Sequence, residues 1–112
     1  MGRKHTLRKI VLEESALAAT QAGTETVCDQ LDLVSYYLEQ SNSAGFTGAL
    51  TIQWKDDDTD WDDLPISTIA LVADDEVIVE VEPNFKYIRP VITVAAGTAD
   101  CQILVVGKTV GA

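Results

Sequence analysis

The stretch Gly48–Pro65, GALTIQWKDDDTDWDDLP, decides how this chain is read. Its first half alternates, with Leu50, Ile52 and Trp54 on one parity and Thr51, Gln53 and Lys55 on the other. That is the period-2 pattern of a strand with one buried face. Its second half is a turn carrying Asp56, Asp57, Asp58, Asp60, Asp62 and Asp63, interrupted only by Thr59 and Trp61. Leu64 and Pro65 then lead into the next strand.

The same pattern recurs on the C-terminal side. Ile66 to Val72 is a second apolar run, and Ala73, Asp74 and Asp75 form a turn. Glu76 to Glu82 alternates strictly, placing Val77, Val79 and Val81 inward and Glu76, Glu80 and Glu82 on a solvated face. Pro83 and Asn84 break the chain before Phe85–Val94, FKYIRPVITV. Pro90 there lacks an N–H and belongs at an edge, a bulge or a strand start. AAGTAD reads as a turn, Cys101–Val106 as the last strand, and Gly107 as its end.

On the N-terminal side, Tyr36–Gln40 (YYLEQ) reads as a short strand ended by the turn SNSAG, Ser41 to Gly45. Val27 to Leu33 reads as a half-buried strand or edge, with a helix over 29–40 as the competing assignment. Thr6 to Leu12 reads as a strand followed by an irregular link; the alternative is a helix through Ala19, since Ala and Glu favour helix. Seven or eight short strands with turns every 8–12 residues predict an antiparallel β-sandwich or jelly roll over residues 26–112. Residues 1–25 are expected to form an extended N-terminal arm and link. The buried face is expected to include Leu50, Ile52, Val77, Val79, Ile92 and Leu104, with Trp54 at least partly in the core.

At 112 residues the chain fits one domain, able to bury a core without metal or disulfide staples. No apolar run reaches the roughly 20 residues of a membrane span, and the N-terminus has no apolar signal region. Net charge is −10, distributed unevenly. Arg3, Lys4, Arg8 and Lys9 precede the first acid, Glu13. The rest sets 18 acids against Lys55, Lys86, Arg89 and Lys108, a balance of −14. Such a body repels nucleic acid and anionic membranes. The basic start, with apolar Leu7, Ile10, Val11 and Leu12, suits an assembly arm steered by charge onto an acidic protein surface such as a sister subunit.

Candidate chemistry is sparse. Asp56, Asp58 and Asp60 match positions 1, 3 and 5 of a calcium loop, but Trp61 stands where Gly is needed and Ser67 where a bidentate Glu is needed. The aspartate run therefore reads as a solvated acidic turn, with no metal and no cofactor expected. Trp54 and Trp61 read as packing residues rather than a sugar platform. Gly107-Lys108-Thr109 echoes a phosphate-binding loop, but Gln102 occupies its first glycine position and no helix can follow. Met1-Gly2 with Thr6 matches only a loose myristoylation pattern. His5 is the sole histidine and lies in the arm, which removes Ser–His, Cys–His and multi-histidine metal chemistry. Cys28 and Cys101 are isolated thiols, read as small buried hydrophobes in a reducing compartment. No catalytic residue is assigned.

From about Leu31 to Val106 the order of signals resembles a group of small tailed-phage virion proteins. The resemblance rests on YYLEQ, then GFTGALTIQW, then DDDTDWDDL with its second tryptophan, then FKYIRPVITV and a final apolar strand. It implies a capsid decoration (cement) protein of jelly-roll or β-sandwich fold, often a homotrimer on the shell. The implied partners are the major capsid protein or another virion protein, and the implied location is the virion, assembled in the bacterial cytoplasm. Related sandwiches serve in head–tail or tail structures and as discoidin-like carbohydrate-binding modules. These remain the alternative expectations.

Overall fold

The structure, a computed structural model, describes residues 6–29, 31–56, 60–64 and 68–109. It is all-β and antiparallel. Eight strands appear in chain order: β1 Thr6–Leu17, β2 Gln21–Ala22, β3 Thr26–Val27, β4 Leu33–Lys55, β5 Asp62–Asp63, β6 Ile69–Leu71, β7 Glu76–Val81 and β8 Tyr87–Lys108. Two of them, β4 and β8, run 23 and 22 residues and pair along their whole length, from Leu33↔Lys108 to Lys55↔Tyr87. β1, β2 and β3 follow one another down the free side of β8, and β5, β6 and β7 down the free side of β4.

Chain length forces this ribbon to fold over. A straight strand from Tyr87 to Lys108 would measure about 70 Å, yet the longest dimension of the molecule is 50 Å. Val27 pairs with Tyr87 and Leu33 with Lys108. The link between Val27 and Leu33 spans at most about 22 Å, so the two ends of β8 must lie close together. The link from Val81, paired with Val34, to Tyr87, paired with Lys55, imposes the same condition on β4.

Folding gives two half-sheets. The first has the order β7, β4 (33–41), β8 (98–108), β1; the second has β5 and β6 in line, β4 (47–55), β8 (87–96), then β2 and β3 in line. That connectivity is a jelly roll, in agreement with the fold class expected. Side chains alternate across each half-sheet. Val34, Tyr36, Leu38, Ile103 and Val105 of the first half-sheet meet Leu50, Ile52, Ile88 and Ile92 of the second in one core cluster. Each of these aliphatic side chains contributes about 1.5–3 kcal/mol by leaving water. The Tyr36 hydroxyl is buried with no hydrogen bond of ordinary geometry. Burial raises its pKa well above the usual phenol value, only partly offset by nearby Thr26.

Several expectations need correction. SNSAG and AAGTAD are not chain reversals. Both lie inside long strands, at the fold line, where the β4–β8 register slips between Ser41 and Gly48. Of the strand expected over Val27–Leu33 only the two ends are strand, Val27 in β3 and Leu33 in β4; among the described residues between them Leu31 N–H donates to Cys28 O at 3.1 Å in a turn. The strand expected over Thr6–Leu12 is present, but it runs on to Leu17 and pairs with β8 within the sandwich instead of reaching away as an arm. Leu104 faces outward and is half-buried, because Ile103 and Val105 take the inward parity. Leu50, Ile52 and Ile92 are buried as expected, while Val77, Val79 and Trp54 are half-buried against the core.

The fold line is held by close backbone approach and by carboxylates. A Cβ on Gly97 (φ +72°) would collide with the Ala44 carbonyl oxygen and the Gly45 backbone, and one on Gly48 with the Thr93 carbonyl oxygen. Ala16 (φ 50°), Asn42 (φ 50°) and Asp74 (φ 54°) adopt left-handed backbone at the same level. Asp100 serves two of them. Its Oδ1 accepts from the Ala16 N–H and its Oδ2 from the Asn42 side-chain amide, both at 2.8 Å. Asp74 Oδ1 accepts from the Ser43 N–H at 3.1 Å, and Asp74 N–H donates to Ser43 Oγ at 2.9 Å. Asp75 Oδ2 accepts from the Val72 N–H at 2.7 Å, and its own N–H donates to Gln40 Oε1 at 3.1 Å.

Two predictions follow from this line. Gly97→Ala combines a left-handed residue with a backbone collision and should destabilise the fold by about 2–4 kcal/mol in urea denaturation. The second concerns acid. The Asn42 amide and the Ala16 N–H hold the Asp100 carboxyl below its ordinary value of 3.8. A depressed folded pKa stabilises fully above the unfolded pKa, and that contribution is lost as pH falls through the folded one. The melting-temperature gap between the native chain and Asp100→Ala should therefore be widest at neutral pH and shrink on acidification.

Candidate functional site

The two surfaces singled out in the sequence lie on different half-sheets. The second half-sheet carries the acidic turn. Its outer parity places Thr51, Gln53 and Lys55 of β4 opposite Val91, Arg89 and Tyr87 of β8. Arg89 Nε donates to Gln53 Oε1 at 2.9 Å, and Gln53 Nε2 donates to Asp63 Oδ1 at 3.0 Å. Trp61 lies over this ladder, half-buried, with the Arg89 guanidinium 4.3 Å and the Lys55 ammonium 4.9 Å from its ring centroid. Lys55 and Lys86 also approach Tyr87, at 5.5 and 5.9 Å. On the inner side Trp54 stacks on Phe85 at 4.3 Å.

Three of the four basic residues beyond the N-terminal stretch thus gather beside the aspartates. Cation–π contacts of this kind contribute about 0.5–1 kcal/mol each at exposed sites. Asp56, Asp60, Asp62 and Asp63 are exposed; Asp57 and Asp58 lie outside the described residues. Asp62 and Asp63 are held in β5, opposite Trp54 and Gln53, and Asp56 Oδ1 accepts from the Lys86 N–H at 3.2 Å. Among the described residues no group of three His, Cys, Asp or Glu side chains is placed to hold a metal ion.

The expected assembly residues divide. Arg3 and Lys4 lie outside the described residues. Leu7 is half-buried against the core, and Val11 and Leu12 are in it, 5% exposed each. A bulge between Ile10 and Leu12 turns these two consecutive residues inward. Val11 and Leu12 are therefore spent on the chain's own core and cannot grip a neighbour. Arg8, Lys9 and Ile10 remain exposed.

The first half-sheet also presents a pattern that the sequence reading missed. Across its outer face the register aligns Ile10, Leu104, Tyr37 and Ile78 in one transverse row. Ile10 and Ile78, at its ends, are 49% and 64% exposed. The next row is Arg8, Val106, Ser35 and Glu80; on the other side lies Glu13, Gln102, Glu39 and Glu76. That last row lines an acidic depression of about 560 Å³. Neighbouring Glu76 and Glu39 also raise the Tyr37 phenol pKa, after the larger effect of desolvation. One signal was visible: Ile78 sits on the glutamate parity of EVIVEV.

No known protein family and no curated protein matches the sequence. Solved structures do match the fold. The crystal structure of SPBc2 prophage-derived protein YomS superposes with a TM-score of 0.65 at 10% identity, over 97% of both chains. A structure described as Bacillus endospore appendages that form a novel family of disulfide-linked pili superposes with a TM-score of 0.56 at 17% identity, over 96% of this chain and 91% of that one. At such identities the likeness is one of fold: this chain shares its small all-β architecture, nearly end to end, with a prophage-derived protein and a pilus protein.

Proposed function

We propose that this chain is a non-enzymatic structural subunit of a phage-type particle or an extracellular assembly, and more specifically a capsid decoration protein that binds the shell as an oligomer. The supporting observation is the near end-to-end correspondence with YomS, a prophage-derived protein. The resemblance of residues 31–106 to small virion proteins points the same way, and the partners it implies are the major capsid protein and further copies of this chain. The corresponding location is the virion. The test is sedimentation of the purified chain with empty shells built from the capsid protein of the same genome. Saturable co-sedimentation and a higher shell melting temperature are expected. A chain that stays in the supernatant and forms no multimer by light scattering overturns the reading.

The pilus likeness raises a covalent alternative, since that protein is described as disulfide-linked. Here Cys28 and Cys101 are 4% and 3% exposed. Burial, reinforced by Asp29, pushes the Cys28 thiol up to about 11, and burial raises Cys101 as well. A buried thiol kept protonated neither attacks nor links. Assembly in this chain is therefore proposed to be non-covalent at these two positions. A thiol reagent should label both cysteines only after unfolding, and assembled material should dissolve to single chains in denaturant without reductant.

A further inference from the structure

The two half-sheets treat their edges differently. The second is bordered by fragments: β2 and β3 on one side and β5 and β6 on the other, of two or three residues each. Short, interrupted edges are poor templates for another strand. The first half-sheet is bordered by β1, 12 residues, and β7, 6 residues. Among the described strands, β1 pairs only with β8 and β7 only with β4. Each therefore presents one edge that no described strand covers.

We propose that β1 of one copy pairs edge to edge with β7 of the next, so that the first half-sheet continues from subunit to subunit. This deepens the structural-subunit reading, on which it rests, by naming the contact between copies. Direction fits first. Strands alternate across β1, β8, β4 and β7, each antiparallel to its neighbour. A translated copy therefore sets its β1 antiparallel to the preceding β7, and the alternation continues unbroken.

Side chains fit at the same register. Ile10 and Ile78 end one row, and Arg8 and Glu80 end the next, each pair at opposite edges. Translating the sheet by its own width brings Ile78 beside the next copy's Ile10, and Glu80 beside its Arg8. Two of the four large apolar side chains that stand most exposed would cover one another. The wider edges are opposite in sign, since β7 carries Glu76 and Glu80 while the start of β1 carries Arg8 and Lys9. Opposite charges and apolar groups directly across a strand pair attract. The bulge at Val11 and the end of β7 at Val81 limit the matched stretch to residues 7–10 against 78–81. Such a contact is heterologous; it gives a ring where the rotation closes and a filament where it does not.

Cross-linking tests the contact directly. Within one chain Ile10 and Ile78 lie three interstrand spacings apart, about 14 Å, too far for an intramolecular disulfide. The full chain carrying both Ile10→Cys and Ile78→Cys should give a ladder of covalent multimers on oxidation, and neither single variant should. Dimers from either single variant, which mean a face-to-face or like-edge contact, overturn the proposal; so does the absence of a ladder. Charge exchange gives a second readout. Arg8→Glu and Glu80→Arg should each weaken self-association about tenfold in sedimentation equilibrium, and the double exchange should restore it. Unchanged association in the single variants overturns the edge contact. Shell co-sedimentation by a chain that fails both tests leaves the structural reading standing without this contact.

Discussion

The constraint on which everything else rests is the close approach of two backbones where β4 and β8 cross the fold line. Two strands of more than twenty residues hold a continuous ladder only by bending together, and bending together brings carbonyl oxygens to where a Cβ would sit. Gly97 and Gly48 remove that atom. Once the central pair is bent, its flanking strands have no choice. β1 leads into β2, and β6 into β7, at the same level, and every ribbon in the sheet turns there. The left-handed residues Ala16, Asn42 and Asp74 mark that level on β1, on β4 and between β6 and β7. Strain of about 1–2 kcal/mol per residue is tolerated there because side-chain and backbone hydrogen bonds, several to carboxylates, secure the line.

Much of the jelly roll was legible in the sequence because alternation is local. Leu50, Ile52 and Ile92 declare their parity within a few residues, and Glu76–Val81 does so without ambiguity. The fold line was not legible for a physical reason. Asn42, Gly45 and Gly97 signal a left-handed backbone, and a chain reversal and a sharp bend both require one. Only the identity of the facing strand separates the two, and that is a long-range fact. Cys101–Val106 fails differently: CQILVV is apolar on both parities, so nothing local says that Ile103 and Val105 point inward and Leu104 outward. In the N-terminal stretch, adjacent Val11 and Leu12 looked available to a partner. A bulge that sequence cannot announce puts both into the core.

Charge is sorted by the fold more finely than by the sequence. In linear order the basic residues look like an N-terminal block followed by a uniformly acidic body. In the structure Lys55, Lys86 and Arg89 collect around Trp61 and Tyr87, beside the aspartates that dominate the linear reading. The acidic turn is therefore anchored by cations and aromatic rings over part of its length, rather than being held off by self-repulsion alone. Carboxylates elsewhere have a separate task. Asp74, Asp75 and Asp100 accept from backbone N–H groups that the bends leave without strand partners, which is the usual remedy for such donors.

The bulge in β1 ties these themes together. Without it, consecutive residues would alternate, and with Ile10 outward and Val11 inward Leu12 would stand on the outer face as a further exposed aliphatic side chain. With it, Val11 and Leu12 both fill the space between the half-sheets, and the twist of the edge increases. The regular part of the edge then stops at Ile10. An edge strand that is regular for five residues and then twisted limits pairing to one short register, whereas a regular edge of twelve residues would permit several. The same insertion that completes the core thus also narrows what the edge can accept, and it does so at the residue where the exposed apolar row begins.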